Sequence, residues 1–198
     1  MNRREIAPGI MIYSDVIQGY DNLINDIEDA VASGIVKWHG AYVKSGDAVE
    51  VNTNTRDTQT IGIAYSNNPV IDMSHARNSF DTTLSKLFFD SFDPLEKDYQ
   101  MYYGLTTTWH DTYGILKYGI GQKFTNHIDD HKDYIRRMST VYYANDNYSG
   151  GEINFPRFGI EYKPKANELL CFPSNFIYNH SVSPVIEGTR YAVVSWLQ

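Results

Sequence analysis

Residues 139–155 read STVYYANDNYSGGEINF, and this stretch holds the pattern that decides the fold. A run of β-branched and aromatic residues at 139–145 gives way to Asn, Asp and Gly, and a second run follows at 152–155. The alternation predicts short β-strands joined by tight turns. Further out, the same pattern predicts strands at 114–118, 168–172, 177–182 and 189–197. Many short strands at close spacing are typical of a β-sandwich or barrel.

The N-terminal half has a helical pattern instead. Apolar residues recur at helical spacing over 20–34, where Gly34 is a suitable stop, and again over 80–92. Pro94 then predicts the start of a third, short helix that runs to about Tyr103. These elements indicate helices that support the strands.

A polar segment at 43–60 separates the first two predicted helices. It is rich in Thr, Asn, Asp and Gly, and it predicts a strand pair with a mobile loop. The whole chain, 1–198, is expected to be one α+β domain. Its helical support covers about 1–105, and its β core covers about 106–198.

The composition excludes several classes of protein. The 198 residues include 17 Lys and Arg against 24 Asp and Glu, and the net charge of −7 disfavours nucleic acid and anionic membranes as partners. The 16 Tyr and 9 Phe exclude a disordered chain. The single cysteine, Cys171, excludes an internal disulfide and favours a reducing compartment. Without an apolar stretch of ~18 residues or a signal peptide, we expect a cytoplasmic protein of cellular or viral origin.

Two His-x-Asp triplets are candidates for a metal site: His127-Ile128-Asp129 and His131-Lys132-Asp133. On an extended strand, residues i and i+2 point to the same face, so one imidazole and one carboxylate can bind a single ion. A distant histidine would complete the two-His, one-carboxylate set of non-haem Fe(II) sites, which leaves open coordination positions. Spacing alone does not decide which triplet, if either, binds a metal. For each triplet, the alternative interpretation is a solvated loop.

The residues around the first triplet resemble a segment of a known protein family. Residues 118–129 have the spacing Tyr-x-x-Gly-x-x-Phe-x-x-His-x-Asp, which is similar to the iron-binding segment of prolyl 4-hydroxylase-like 2-oxoglutarate dioxygenases. Four later segments resemble that family in the same order. They are 140–145, the hairpin GGEINFP at 150–156, PKANELL at 164–170 with Asn167 in place of the common Gly, and 180–191.

The resemblance implies a double-stranded β-helix (jelly-roll, cupin-like) core supported by the N-terminal helices. It also implies that His127, Asp129 and His180 bind Fe(II), because only the first triplet has the family's distance from the Tyr. His131 then becomes a loop residue. The remaining histidines are expected on the surface or in the core. Among them, His110 is the one to consider as a further candidate ligand.

Arg190 is the candidate for binding the co-substrate. Alternation along the last predicted strand places it on one face with Ala192, Val194 and Trp196, so it points inward and needs an anionic partner. The resemblance implies that this partner is the C5 carboxylate of 2-oxoglutarate, as in the oxygen-sensing prolyl hydroxylases. We expect the segments of His180 and Arg190 to form an antiparallel pair.

Aromatic and apolar residues are expected to complete that pocket. The resemblance places the hydroxyls of Tyr118 and Tyr143 near the oxoglutarate, with core residues as the alternative for both. Trp196 and Val141 would be apolar walls, and Cys171 is expected to be a buried small hydrophobic residue.

The implied activity is a procollagen-proline 4-dioxygenase-like reaction that uses Fe(II), 2-oxoglutarate and dioxygen, with ascorbate as a reductant. The implied substrate is a prolyl residue in a peptide or protein, and 54–58 (NTRDT) loosely resembles the family's Arg-x-Ser lid over the peptide. Two alternatives stay open. One is an oxygenase for a free amino acid or another side chain, and the other is a non-catalytic jelly-roll that binds or supports a partner.

Overall fold

The structure is a computed structural model that describes residues 2–45, 48–63, 79–130 and 135–198. Within these ranges it contains two α-helices, α1 (Leu23–Ala32) and α2 (Ser79–Tyr103). The strands of the same ranges are, in chain order, β1 (Asn2–Ala7), β2 (Ile10–Ser14), β3 (His39–Gly40), β4 (Tyr42–Ser45), β5 (Ala48–Val51), β6 (Gln59–Ile63), β7 (Tyr113–Tyr118), β8 (Phe124–His127), β9 (Met138–Tyr143), β10 (Ser149–Gly150), β11 (Ile153–Phe155), β12 (Ile160–Tyr162), β13 (Glu168–Pro173), β14 (His180–Val182), β15 (Val185–Glu187) and β16 (Arg190–Leu197).

Two antiparallel sheets form the core, which confirms the predicted double-stranded β-helix. The major sheet has the strand order β1-β2-β13-β9-β16-β7-β6-β3, and the minor sheet has the order β12-β11-β14-β8. Their facing side chains, which include Tyr118, Phe155, Phe172 and Val182, share one apolar cluster. Side chains alternate between the two faces of a strand, so the central strands of the major sheet can contribute to an apolar core on each face. All six residues of β9 are accordingly buried.

The second core lies between the major sheet and the helices. Helix α1 buries Leu23, Ile27 and Ala30, which fall on one helical stripe, and it ends before Gly34, whose φ of 75° suits a helix stop. Helix α2 contributes Phe92, whose ring lies 5.3 Å from that of Tyr142 on β9. The helices therefore cover the face of the major sheet that is turned away from the minor sheet.

The predicted break at Pro94 is wrong, because α2 runs without interruption from Ser79 to Tyr103. Proline removes one backbone donor from a helix and normally weakens it. Here the buried stripe continues on both sides of it, through Phe88, Phe92 and Tyr99, and Pro94 itself is exposed. Burial of this stripe outweighs the local cost.

The N-terminal part is not purely helical support. Four of the eight strands in the major sheet, β1, β2, β3 and β6, come from before residue 105. Strand β2 is buried at Ile10, Met11, Ile12 and Tyr13, because it lies between β1 and β13 inside the sheet. It is not among the strands that the sequence pattern predicts.

The segment 43–60 contains the predicted strand pair, since β4 and β5 pair with each other. Its last part is not a free loop. The Asp57 N–H donates to the Lys123 carbonyl at 2.9 Å, the Thr125 N–H donates to the Thr55 carbonyl at 2.8 Å, and the Thr58 hydroxyl donates to the Lys117 carbonyl at 2.8 Å. Residues 55–58 are thus fixed along the outer edge of β8.

The expected antiparallel pair between the segments of His180 and Arg190 is also wrong. Strand β14, which begins at His180, pairs with β8 and β11, whereas β16, which begins at Arg190, pairs with β7 and β9. The connection between them crosses from the minor sheet to the major sheet, as jelly-roll connections do. Neither described helix is long and apolar enough to cross a membrane.

Candidate metal centre and co-substrate pocket

Three side chains that can bind a metal meet at the open end of the minor sheet. His127 ends β8 and His180 begins β14, and the two residues are direct partners in that antiparallel pair. Asp129 follows two residues after His127, and its Oδ1 and Oδ2 lie 3.6 Å from His127 Nε2 and 3.7 Å from His180 Nε2. One ligand atom of each residue lies within 4.8 Å of the other two. With metal–ligand bonds of about 2.0–2.2 Å, small side-chain rotations would bring all three onto one ion.

The two imidazoles are oriented for binding through Nε2. His127 Nδ1 lies 2.8 Å from the Thr125 carbonyl, and His180 Nδ1 lies 3.0 Å from the Tyr178 carbonyl. A carbonyl oxygen can only accept a hydrogen bond, so each Nδ1 must carry the proton. In the neutral imidazole with this tautomer, Nε2 has the lone pair that binds a metal ion, an arrangement that is typical of histidine ligands.

Asp129 is held ionised in a buried position. Ser139 on β9 donates a hydrogen bond of 2.7 Å to Asp129 Oδ2, and the Ser139 hydroxyl lies 2.8 Å from that of Ser174. Burial alone would raise the pKa of Asp129, but His180, His127 and the Ser139 hydrogen bond outweigh burial and lower it. The ionised form, which is the form that binds a metal, is thereby favoured, and the Ser139 hydrogen bond orients the carboxylate.

Apolar rings surround the two histidines. The Phe124 ring stacks on His127 with ring centroids 3.5 Å apart, and the Phe172 ring meets His180 edge-on at 4.8 Å. Burial, together with the neighbouring His180, lowers the pKa of His127. The imidazole therefore favours the neutral form, which is the form that binds metal ions.

Arg190 lies in the space between the two sheets, as the alternation along its strand predicts, and only 1% of it is exposed. Its guanidinium carbon lies 4.8 Å from the ring centroid of Tyr118 and 5.1 Å from that of Tyr143. Both tyrosines are buried, and Tyr118 is the direct partner of Arg190 in the β7–β16 pair. Trp196 and Val141 belong to the same apolar cluster. The structure thus brings Arg190, Tyr118 and Tyr143 together, and their role in binding the co-substrate stays a prediction.

The Arg190 side chain has the features of an anion-binding group. Burial acts to lower the pKa of Arg190, but Tyr143, Tyr118 and Tyr148 outweigh it and raise that pKa. Among the described residues, its Nε and Nη1 have no hydrogen-bond partner. A buried charged donor without a partner is costly, so the Arg190 guanidinium suits an anionic ligand such as a carboxylate.

Sequence reasoning missed three residues of this region. Tyr148 and Lys163 lie beside Arg190, and the only sequence signal for Tyr148 is its place two residues before Gly150-Gly151. Ser139 supports Asp129 from a distant strand, and no local pattern marks it.

The other histidines do not join the metal centre, as far as the structure describes them. His110 is half-buried against α2, where its Nε2 is 3.3 Å from Glu96 and its Nδ1 is 3.2 Å from the Ser195 hydroxyl. Ser195 is on the face of β16 opposite to Arg190, so His110 belongs to the helix side of the sheet. His39 is exposed. His75 and His131 lie outside the described residues, and the expectation that His131 is a loop residue stays a prediction.

The sequence matches one family model. Residues 113–198 match the model of the 2OG-Fe(II) oxygenase superfamily, and this range contains the three candidate ligands and Arg190. Two PKHD-type hydroxylases from Synechococcus are each 33% identical to the chain over 91 residues. The match covers 41% of this chain and 40% of each relative, so the chain spans about two fifths of the length of the curated relatives that it matches.

Solved structures share the fold over nearly the whole chain. A Pseudomonas putida prolyl-4-hydroxylase is 20% identical, with a TM-score of 0.66 over 96% of this chain and 92% of its own. A Trichoplax adhaerens prolyl hydroxylase, solved with a peptide fragment of the hypoxia inducible factor oxygen degradation domain, is 18% identical, with a TM-score of 0.71 over 96% and 83%. A viral collagen prolyl hydroxylase from Paramecium Bursaria Chlorella virus-1, in a 2OG complex, is 15% identical, with a TM-score of 0.58 over 96% and 95%. Residues 113–198 thus match the model of the 2OG-Fe(II) oxygenase superfamily, and the chain shares its fold with solved structures of prolyl hydroxylases.

Proposed function

We propose that this protein is an Fe(II)- and 2-oxoglutarate-dependent dioxygenase that hydroxylates prolyl residues in a peptide or protein. The observation that carries the proposal is the convergence of His127, Asp129 and His180 on one point, with both Nε2 atoms free for a metal. This ligand set is the two-His, one-carboxylate triad of non-haem iron oxygenases. A binding module would not need these three groups beside a buried arginine, Arg190, whose Nε and Nη1 have no hydrogen-bond partner among the described residues.

The overall reaction consumes oxoglutarate, dioxygen and a substrate C–H bond, and it yields succinate, carbon dioxide and the hydroxylated product. The iron, when bound, supplies the activation of dioxygen, and the protein contributes binding, orientation and electrostatics. No protein nucleophile is required, which agrees with the buried Cys171, whose thiol pKa is raised well above its usual value by burial.

The residues of this chain have separable tasks in that reaction. His127, Asp129 and His180 would hold the iron, and Arg190 would fix the far carboxylate of oxoglutarate so that its other end faces the metal. Phe155 and Phe172 pack against each other and against His180, and they exclude water from the side of the metal that faces the core.

The prolyl substrate is supported by the kind of relatives that share the fold, and by Arg56, which lies beside β8. Arg56 lies with its guanidinium carbon 4.9 Å from the Phe124 ring centroid, and Phe124 stacks on His127. Its Nη1 donates to the Tyr42 carbonyl at 3.1 Å, while its buried Nε has no partner among the described residues. A peptide carbonyl passing the metal is a suitable acceptor. We infer that Arg56 contacts the substrate.

The experiment that tests the substrate class is a peptide assay with mass spectrometry. The protein is incubated with Fe(II), oxoglutarate, ascorbate as reductant and a set of proline-containing peptides, alongside matched peptides with alanine in place of proline. We expect succinate above background and a gain of about 16 daltons on proline, the mass of one oxygen atom. Succinate without any modified peptide, but with a modified free amino acid or another side chain, would replace the prolyl assignment with the wider oxygenase.

The variant Arg56→Ala separates substrate binding from the metal centre. We expect it to lower peptide hydroxylation sharply while the peptide-independent turnover of oxoglutarate stays close to wild type. Arg157→Ala, at an exposed position in the turn after β11, is the matched control. This substitution is preferred to deletion of residues 52–58, because the deletion would remove the backbone bonds that fix 55–58 to β8.

A further inference from the structure

Each candidate histidine ligand is oriented by the backbone carbonyl two residues before it. For His127 this is the carbonyl of Thr125 in β8, where the Thr125 N–H also donates to the Thr55 carbonyl at 2.8 Å. For His180 it is the carbonyl of Tyr178, which lies in a short 3-10 helix before β14. Strand pairing fixes the carbonyl behind His127, so the carbonyl behind His180 needs another support.

The turn between β1 and β2 holds the side chain of Tyr178. The Tyr178 hydroxyl donates a hydrogen bond of 3.0 Å to the Pro8 carbonyl, and its ring stacks on Phe158 with ring centroids 5.2 Å apart. Gly9 lies directly against this ring, since a Cβ at position 9 would clash with the Tyr178 hydroxyl oxygen and lie 3.0 Å from its Cζ. Gly9 has a φ of 76°, so a glycine suits both the turn and the close approach of the tyrosine. The turn thus fits the phenol ring closely.

The turn itself is anchored to helix α2. The Gly9 N–H donates to the Glu5 carboxylate at 3.1 Å, and the Tyr103 hydroxyl donates to the same Glu5 oxygen at 2.7 Å. The Tyr99 hydroxyl, on a side chain that is buried in the core, donates to the Gly9 carbonyl at 2.8 Å. These bonds join the turn to the C-terminal half of α2. The turn is therefore a fixed support for the tyrosine that packs on it.

The contacts form one continuous path from the turn to the metal centre. Pro8 and Gly9 hold the phenol ring of Tyr178, and the Tyr178 carbonyl accepts the Nδ1 proton of His180. A 3-10 helix of three residues has few hydrogen bonds of its own, so a shift of the ring would move this carbonyl. The imidazole could then rotate or change its tautomer, and Nε2 would no longer face Asp129.

We propose that Tyr178 is a positioning residue of the metal centre, and that the turn at Pro8 and Gly9 acts through it to keep Nε2 of His180 directed at the metal. The inference deepens the proposed function and rests on it, because the bound ion is taken to be the iron of that reaction. Tyr178 orients a ligand without being one, so its loss should weaken metal binding and leave all three ligands in place. The N-terminal hairpin thereby supports the metal centre, although 170 residues separate Pro8 from Tyr178 in the chain.

The test is calorimetric titration of the full chain with Mn(II), which measures metal affinity without turnover. Tyr178→Phe keeps the ring and removes its bond to Pro8. We expect a loss of roughly three- to tenfold in Mn(II) affinity, less than the ~10–100-fold that a direct partner of a ligand contributes. Tyr191→Phe is the matched control, because it removes a comparable hydroxyl bond, of 2.8 Å to Glu28 on α1, on the helix side of the major sheet. It should leave Mn(II) affinity unchanged.

Gly9→Ala tests the turn itself. The added methyl group would displace the Tyr178 ring, so Mn(II) affinity should fall at least as far as in Tyr178→Phe. Alanine at this φ also strains the backbone. Gly34→Ala is the matched control for that strain, because Gly34 has a φ of 75° and no described atom lies within 4 Å of its Cβ position. Gly34→Ala should lower the melting temperature and leave Mn(II) affinity unchanged. In the double variant of Gly9→Ala and Tyr178→Phe, the two losses should be less than additive, because both act through the same ring.

Heteronuclear NMR of the histidine side chains in the metal-free protein reads the orientation directly. At mildly alkaline pH, where imidazoles are neutral, His180 of the wild type should carry its proton on Nδ1. Tyr178→Phe should populate the Nε2–H tautomer of His180. His127 is the internal control and should keep its Nδ1 proton, because its partner Thr125 is untouched.

Three results would overturn the inference while the proposed function stands. They are unchanged Mn(II) affinity in both Tyr178→Phe and Gly9→Ala, an equal loss of affinity in Gly34→Ala, and an equal change of tautomer at His127. A wild-type protein that binds no Mn(II) would overturn both this inference and the proposed function, and that result is known before any variant is compared.

Discussion

His127 and His180 are direct register partners on neighbouring strands, with their ring centroids 4.2 Å apart, although 53 residues (180 − 127) separate them in the chain. The pairing of β8 with β14 therefore determines the distance between two of the three candidate ligands. The third, Asp129, follows from the same strand by chain connectivity. A metal centre of this kind depends on the register of one short strand pair.

The first prediction concerns the three ligands. His127→Ala, Asp129→Ala and His180→Ala should each abolish turnover and reduce Mn(II) affinity, measured by calorimetry, because each removes a ligand atom that no other described residue can replace. His131→Ala is the control and should leave both close to wild type. If His131→Ala abolished turnover and His127→Ala did not, the choice between the two His-x-Asp triplets would be wrong.

Ser139 should tune the metal centre without touching the metal. Ser139→Ala removes the hydrogen bond that orients Asp129, and support of this kind is commonly worth about 10–100-fold in metal affinity. Ser174→Ala is the matched comparison, because its hydroxyl contacts that of Ser139 and makes no bond to Asp129 among the described contacts. We expect a clearly smaller loss of Mn(II) affinity for Ser174→Ala, and equal losses would argue against a direct role for Ser139.

Arg190 should govern the affinity for oxoglutarate. Arg190→Ala leaves the far carboxylate without its charged partner, and bonds of this type contribute ~1.5–3 kcal/mol, so the KM for oxoglutarate should rise roughly tenfold or more. Arg190→Lys should be milder, because the charge survives while the two-pronged geometry does not. An unchanged KM in Arg190→Ala would show that another residue holds the co-substrate.

Pro94 offers a prediction about stability alone. It is exposed and lies inside α2, so Pro94→Ala should restore a helical hydrogen bond and raise the free energy of unfolding by about 1–3 kcal/mol. The measurement is a thermal or denaturant melt, with Mn(II) binding as the check that the metal centre is unchanged. A lower melting temperature would mean that the proline fits this helix better than alanine does.

Much of the fold could be predicted because the information is local. The strands β7, β9 and β16 carry alternating or continuous apolar runs, and the inward direction of Arg190 follows from alternation along a single strand. The continuity of α2 could not be read in the same way, because it depends on burial of Phe88 and Phe92 against the sheet. Tertiary packing there overrides the signal of one proline.

The site shows the same division. The triplet His127-x-Asp129 is a local spacing, and its family resemblance extended the assignment to His180 and Arg190. Ser139 and Tyr148 could not be predicted from the sequence. Their positions near the site come from contacts between strands or across a turn, and no spacing in the sequence indicates such contacts. The wrong pairing of the segments of His180 and Arg190 has a similar cause, since a crossing between two sheets looks in sequence like a hairpin.

The most direct test of the central claim is Fe(II)-dependent formation of succinate from 2-oxoglutarate under air. We expect the wild-type protein to form succinate and carbon dioxide in equal amounts only when Fe(II), oxoglutarate and dioxygen are all present, with further stimulation by a substrate peptide. Asp129→Ala should form none under the same conditions. Succinate at the same low level in wild type and Asp129→Ala, across all peptides, would contradict the assignment of this centre as an oxygenase site.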